Sequence, residues 1–236
     1  SLAEIKLDTK TDFDLKSVDY VLNTTRSVRK RLDLSRPIPR KLVEESLDIA
    51  LQAPTGANTQ TWRFVVVEDQ IAKDKIAEFY QKGVQSYIDG QTGLSRTGVT
   101  ITREFDTGDL RDSQKDSVLE SSVYLMEHLS EVPLFIIPCI ESRFEQEDVF
   151  TQASMWGSIL PATWSLMLAL RARKLASAWT TIHLVHENEI SQLLSIPENY
   201  TQAALLPVAW LKGENLYKAK RLPLSKVAFW DQWGNW

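Results

Sequence analysis

The stretch Ala53-Pro54-Thr55-Gly56-Ala57-Asn58-Thr59-Gln60-Thr61-Trp62-Arg63-Phe64-Val65-Val66-Val67 joins a loop of small residues directly to a run of β-formers. Pro54 restricts one φ angle and Gly56 has no side chain, so the backbone here can approach a flat ligand closely. Thr55, Asn58 and Gln60 supply donors and acceptors at the rim. Residues 64–67 read as a short, fully apolar and therefore buried strand. Taken alone, the loop is equally a plain helix-to-strand connection.

Outward from this loop, helices and strands mix without regular βαβ alternation. Residues 14–25 read as a helix capped by Asp14, with Val18, Val21 and Leu22 on one face. Residues 40–52 carry a broad apolar stripe and form a second helix. Residues 71–87 form a third, with Asp69 as its cap. Residues 90–112 are glycine-containing and polar and read as irregular, with helix resuming over 113–129. Residues 133–140 are a central strand. Residues 151–173 are too apolar all round for a surface helix, so that helix is buried between elements or across subunits. Residues 175–181 and 203–211 are strands, with a helix at 187–194 between them. This order argues for the α+β class, with a mainly antiparallel central sheet flanked by helices.

At 236 residues the chain can bury one core, and 1–236 reads as a single domain. Its net charge of −4 gives no reason to expect nucleic acid or an anionic membrane as a partner. No apolar run reaches the roughly 18 residues that a membrane span needs. Residues 1–14 are polar and acidic, unlike a secretory leader, which points to a cytoplasmic location. The single cysteine, Cys139, lies in an apolar run and reads as a buried thiol. Of the three histidines, His183 and His186 are three apart, but no carboxylate or cysteine accompanies them at ligand spacing, so no metal is expected. His183 is expected to pack beside the strand that precedes it.

Upstream of the loop, Thr24-Thr25-Arg26-Ser27-Val28-Arg29-Lys30 places two arginines around a serine, and Pro37-Ile38-Pro39 follows. Near the end stands Lys220-Arg221-Leu222-Pro223-Leu224. In order and spacing, these segments and the Pro54 loop resemble the nitroreductase-like flavoprotein family. Its members show R-R-S-x-R, P-I-P, A-P-S-x-x-N-x-Q-P-W-x-F-V-V-V and K-R-x-P-L. The resemblance spans residues 20–80 and 150–230 and fades between them. It implies the nitroreductase-like fold and an intertwined homodimer with flavin mononucleotide (FMN) at the subunit interface. The flavin phosphate is a dianion that suits guanidinium forks and hydroxyl donors. The resemblance assigns it to Arg26, Ser27, Arg29, Lys220 and Arg221. Pro54, Thr55, Gly56 and Asn58 would line the cofactor, and Ala57 would face the substrate. Trp179, Thr180 and Thr181 resemble the T-T-T stretch of the iodotyrosine deiodinase branch, where a threonine hydroxyl donates to flavin N5. Thr181 aligns best to that position.

Three departures qualify the match. The first motif arginine is Thr25 here, which removes one phosphate fork and leaves Lys30 or Lys220 to compensate. The family's glycine-rich turn reads Arg173-Lys174-Leu175-Ala176-Ser177. The Glu and Tyr of the deiodinase amino-acid clamp fall on Val84 and Ile88. Tyr87, Arg103, Glu104, Arg111 and Lys115 are nearby without a pattern. No triad, nucleophile or paired carboxylates stand out, as expected where a cofactor carries the electrons. No G-x-G-x-x-G follows a strand, so a nicotinamide donor would share the acceptor's pocket.

The resulting expectation is an FMN-dependent oxidoreductase that reduces a small electrophilic organic acceptor, such as a nitroaromatic or a quinone, with electrons from NADH or NADPH. A flavin-dependent reductive dehalogenase of the deiodinase type stays open. So do a flavin-binding or sequestering protein with little turnover and an α+β dimer without cofactor. Residues 83–130, with Gly90, Gly93, Gly98 and Gly108, are expected to form a lid that sets acceptor choice. Residues 213–236 carry Trp230, Trp233 and Trp236 beyond the last strand. Left exposed these would make a large apolar patch, so the tail is expected to embrace a partner subunit.

Overall fold

Local hydrogen bonding sets the helix starts. In the computed structural model, which describes residues 13–88 and 107–236, Asp14 accepts from the Lys16 amide at 3.0 Å and opens α1 (Leu15–Thr24). A two-residue strand, β1 (Leu32–Asp33), follows, and α2 (Arg40–Ala50) starts directly after Pro39. β2 (Trp62–Val67) leads into α3 (Gln70–Ile88), where Asp69 accepts from the Ala72 amide at 2.8 Å as the cap. Then come α4 (Lys115–His128), β3 (Leu134–Glu141) and α5 (Val149–Ala172). The chain closes through β4 (Leu175–Ser177), α6 (Glu187–Leu194), β5 (Tyr200–Gln202), β6 (Leu206–Leu211) and a long irregular tail.

Every pairing among the described strands is antiparallel. β3 is the centre. It pairs with β2 along its length on one edge, and with β6 and then β5 in succession. Pro138 cannot donate to a ladder. It sits where the partner changes from β6 to β5, and its carbonyl accepts from the Ala203 amide at 2.8 Å. Phe135, Ile136, Ile137 and Ile140 on this strand are fully buried. Each stabilises the fold by about 1.5–3 kcal/mol relative to exposure.

Four expectations are corrected here. The strand at 64–67 is not fully buried: only Trp62 and Val67 of β2 are, because β2 pairs with β3 alone and lies at the sheet edge. The strand expected at 175–181 ends at Ser177, and Ile182–His186 form a 3-10 turn that carries His183 into the core. The strand expected at 203–211 starts only at Leu206, as β6; residues 203–205 separate it from β5, which ends at Gln202, and that break lets the two strands meet β3 at different places. α5 alone among the described helices has the length and apolar character to cross a membrane, yet its residues Ser158 to Arg171 largely form core against α2, β3 and β4. Its first turn is different: Val149 and Phe150 are exposed. Cys139 is buried as expected, and burial pushes its thiol up to about 12.

The lid expected at 83–130 begins inside α3 and ends in α4 and the turn after it. Gly83 is a buried helix position rather than a hinge. Gly90, Gly93, Gly98, Arg103 and Glu104 lie outside the described residues. Gly108 has φ +71° with open space around it.

Candidate functional site

The segment after α1 is tied to the end of β4. The Val28 amide donates to the Ser177 carbonyl at 2.9 Å, and the Trp179 amide donates to Ser27 Oγ at 2.9 Å. The second bond occupies an acceptor on Ser27 and leaves its own hydroxyl hydrogen available to a ligand. Thr25 hydroxyl instead turns back onto the Val21 carbonyl at 2.6 Å as the helix ends. The residue standing at the motif's first arginine is thus spent on a helix C-terminus.

Arg29 is half-buried at this junction. Desolvation holds its guanidinium below the ordinary arginine value, with the Tyr80 phenol opposing that shift. Among the described residues its one hydrogen bond runs from Nη1 to Ser121 Oγ on α4 at 3.4 Å. Lys30, next to it, forms an ion pair with Glu120 of α4. Arg26 Nη1 reaches the Tyr217 carbonyl at 3.4 Å, and Gln114 Nε2 reaches the Lys220 carbonyl at 3.3 Å. The tail that carries Lys220 and Arg221 is therefore held beside the Arg26 segment. Both side chains are exposed. Among the described residues Arg221 makes no ion pair.

Thr180 and Thr181 differ in what their hydroxyls can do. Thr180 is buried, bridges to Leu205, and gives its hydroxyl to the Leu205 carbonyl at 2.7 Å. Thr181 is exposed, starts the 3-10 turn, and among the described residues its hydroxyl makes no hydrogen bond. Of the two, only Thr181 keeps a free donor for a ligand. Tyr80 stands behind them. Burial raises its phenol above the ordinary tyrosine value, against the Arg29 charge and a hydrogen bond with Thr180. The motif pattern did not single out Tyr80, because its partners Arg29 and Thr180 come from two distant segments and its own spacing is only that of a core helix residue.

The Pro54 loop is built for a specific backbone shape. Ala57 (φ 51°), Asn58 (φ 54°) and Gln60 (φ 52°) all lie in the left-handed region, which L-residues enter at a cost. Hydrogen bonds within the loop and to α5 hold it there. The Gly56 amide donates to Ser158 Oγ at 2.8 Å, the Gln60 amide to Thr55 Oγ1 at 3.2 Å, and Gln60 Nε2 to Asn58 Oδ1 at 3.1 Å. A Cβ on Gly56 would stand 3.4 Å from Ser158 Oγ. Pro54, Gly56, Ala57 and Asn58 are exposed. Within one chain this loop makes its contacts to the first half of α5. The structure thus gathers Arg26, Ser27, Arg29, Trp179, Thr180 and the Tyr217 backbone of the tail into one cluster, and holds Pro54, Thr55, Gly56, Ala57 and Asn58 in another.

The deiodinase clamp positions carry no clamp: Val84 packs against the core. Arg111 is engaged by Asp109, and Lys115 approaches Asp112.

The model of the nitroreductase family matches residues 22–210, and the chain belongs to that family. Among curated relatives, an NADH dehydrogenase of Thermus thermophilus is 26% identical over 223 residues, covering 89% of this chain and 97% of the relative. The iodotyrosine deiodinase 1 of Rattus norvegicus is 26% identical over 208 residues, covering 88% of this chain and 67% of the relative. Among solved structures, an FMN- and NADPH-dependent nitroreductase, NfnB, from a Sphigopyxis strain superposes with a TM-score of 0.63 at 20% identity, covering 90% of this chain and 98% of that one.

Proposed function

We propose that this protein is an FMN-dependent NAD(P)H oxidoreductase acting on a small electrophilic acceptor of the nitroaromatic or quinone kind. The observation that carries the reading is the Arg29 junction. Among the described residues, a half-buried guanidinium with no carboxylate partner, a serine with a hydrogen left to donate and a threonine with a free hydroxyl are lashed together around the end of β4. That donor set fits a phosphate at one end and a ring acceptor at the other. When bound, FMN supplies the redox chemistry.

The chain's own residues bind and orient. Arg29, Ser27 and Arg26 would hold the phosphate, with Lys220 and Arg221 joining from the tail. Thr181 would donate to the ring, and Thr180 and Tyr80 hold the backbone behind it. Glu120 and Ser121 contact Lys30 and Arg29, which supports a reading in which the far part of the 83–130 segment would cover the site and exclude water. A homodimer completes this reading. The Pro54 loop of one subunit would meet the Arg29 cluster of the other, with Ala57 toward the acceptor, and the tail would wrap the partner. Support for the wrap comes from Trp230, Trp233 and Trp236, which are 70%, 92% and 63% exposed in the single chain.

The decisive experiment is the visible spectrum of the purified protein followed by mixing with NADH or NADPH. A flavin spectrum that bleaches on mixing and recovers with a nitroaromatic or quinone supports the reading. A colourless protein that takes up no added FMN refutes it. Similarity to the rat deiodinase favours one second reading, reductive dehalogenation. Turnover of a halophenol with dithionite but not with NAD(P)H would select it.

A further inference from the structure

A cavity of about 820 Å³ opens where α1, the last turn of α5 and the end of β6 meet. It lies at the Lys174 end of β4, whereas the Ser27 and Trp179 cluster stands past the opposite end of that strand. Among the described residues its lining brings Lys16, Arg36, Arg171 and Lys174 together against a single carboxylate, Glu214. This excess of positive charge occurs in a chain with a net charge of −4.

Arg171 is the telling member. It is only 8% exposed, so its guanidinium has given up most of its hydration, which is costly for an unpaired charge. Among the described residues its Nε has no hydrogen-bond partner. Its Nη2 makes only a long contact, 3.4 Å, to the Tyr20 hydroxyl, and the guanidinium stands 5.7 Å from that ring's centroid. Among the described residues no carboxylate comes within ion-pair distance of it. Arg36 is pre-positioned as well: its guanidinium lies 3.7 Å from the Trp210 ring centroid, and that ring is anchored by its Nε1 donating to the Pro37 carbonyl at 3.0 Å. A stacked guanidinium keeps its in-plane N–H groups free for an oxyanion.

We propose that this cavity is a second anion site, separate from the flavin cluster, that takes a small phosphate-bearing organic molecule. Arg171 and Arg36 would grip the phosphate, and Lys16 and Lys174 would complete its charge balance. A bare ion would leave most of the space empty, whereas organic ligands occupy pockets of about 300–1,000 Å³. The organic part would lie along Tyr20 and Trp210.

The test is calorimetric titration of the protein, FMN-loaded where FMN is retained, with pyrophosphate, adenosine monophosphate and ribose 5-phosphate at matched ionic strength. Saturable binding of at least one probe is expected. It should weaken about tenfold or more in Arg171→Gln, the loss of one charge-assisted contact. The double variant Lys16→Gln/Arg36→Gln changes only exposed side chains, so it keeps the proposal testable if Arg171→Gln does not fold; it should weaken binding similarly. Arg29→Ala, which alters the flavin cluster, should leave this binding in place, so the outcome does not depend on the flavin reading. Preference for the nucleotide over the sugar phosphate would identify the base as the stacked part, and the reverse would assign a sugar. No saturable binding of any probe, or binding lost in Arg29→Ala but kept in Arg171→Gln, overturns the proposal.

Discussion

Gly83→Ala should destabilise this protein, although the same change in an open helix stabilises. Gly83 lies in α3 facing the turn at Ile182–His186. A Cβ there would stand 2.7 Å from the Ile182 carbonyl oxygen and 3.4 Å from its Cγ1. Non-bonded heavy atoms settle at about 3.5 Å or more, so helix and turn must part by roughly 0.5–1 Å. Overpacking of this kind costs about 1–3 kcal/mol. The alanine recovers about 0.5–1 kcal/mol through its lower chain entropy in the helix. The net loss centres on about 1 kcal/mol and reaches about 2.5 kcal/mol, and for a chain of this size each kcal/mol lowers Tm by about 2–4 °C. The carbonyl that must move follows Thr181 directly, so FMN retention should fall with stability. Urea unfolding midpoints of apo-protein, followed by tryptophan fluorescence, give the first quantity, and quenching of FMN fluorescence gives the second. An unchanged or higher midpoint would refute the close approach of α3 to the turn, and with it the argument that Gly83 positions Thr181.

Three other outcomes are expected. Arg29→Ala and Arg221→Ala should each weaken FMN binding about tenfold to a hundredfold, the worth of one charge-assisted contact at about 1.5–3 kcal/mol; unchanged dissociation constants in both would remove them from the site. His183 is fully buried, and burial pushes its pKa down to about 3. The unfolded chain therefore binds the extra proton between about pH 6.5 and pH 3, so stability from this group is complete above about pH 6.5 and is lost as pH falls, by up to about 1.4 kcal/mol per unit. Urea midpoints from pH 7 to pH 4.5 should fall more steeply in the native protein than in His183→Gln, and parallel slopes would contradict this. Removing the tail beyond Leu224 should yield a monomer that loses flavin, and a truncated protein that sediments as a dimer and stays yellow would count against the embracing tail.

The legible parts of the fold share one property: their determinants are close in sequence. Asp14 and Asp69 cap α1 and α3 through amides two and three residues away, so a reader of the sequence can place them. α6 and β3 follow from apolar spacing and from an unbroken apolar run. The Arg26, Ser27 and Arg29 segment is equally visible, because it forms a short motif with recognisable spacing.

Pairing and burial were decided elsewhere. Val66 is as apolar as Ile136, yet Val66 is 38% exposed and Ile136 not at all, because one lies on an edge strand and the other at the sheet centre. Ser177 ends its strand and Thr180 pairs with Leu205 because of where β6 runs, not because of their neighbours in sequence. Thr180 and Thr181 look interchangeable as residues, and only the Leu205 carbonyl separates a committed hydroxyl from a free one. Tyr80, Gly83 and Arg171 acquired their roles the same way, from segments about 50 to 150 residues away. What the sequence alone determined was the family, the local helix signals and the arginine-serine motif proposed to bind the cofactor, all carried by near-neighbour chemistry. Tertiary structure alone decided which polar groups stay unpaired, since that depends on every segment that arrives to satisfy them.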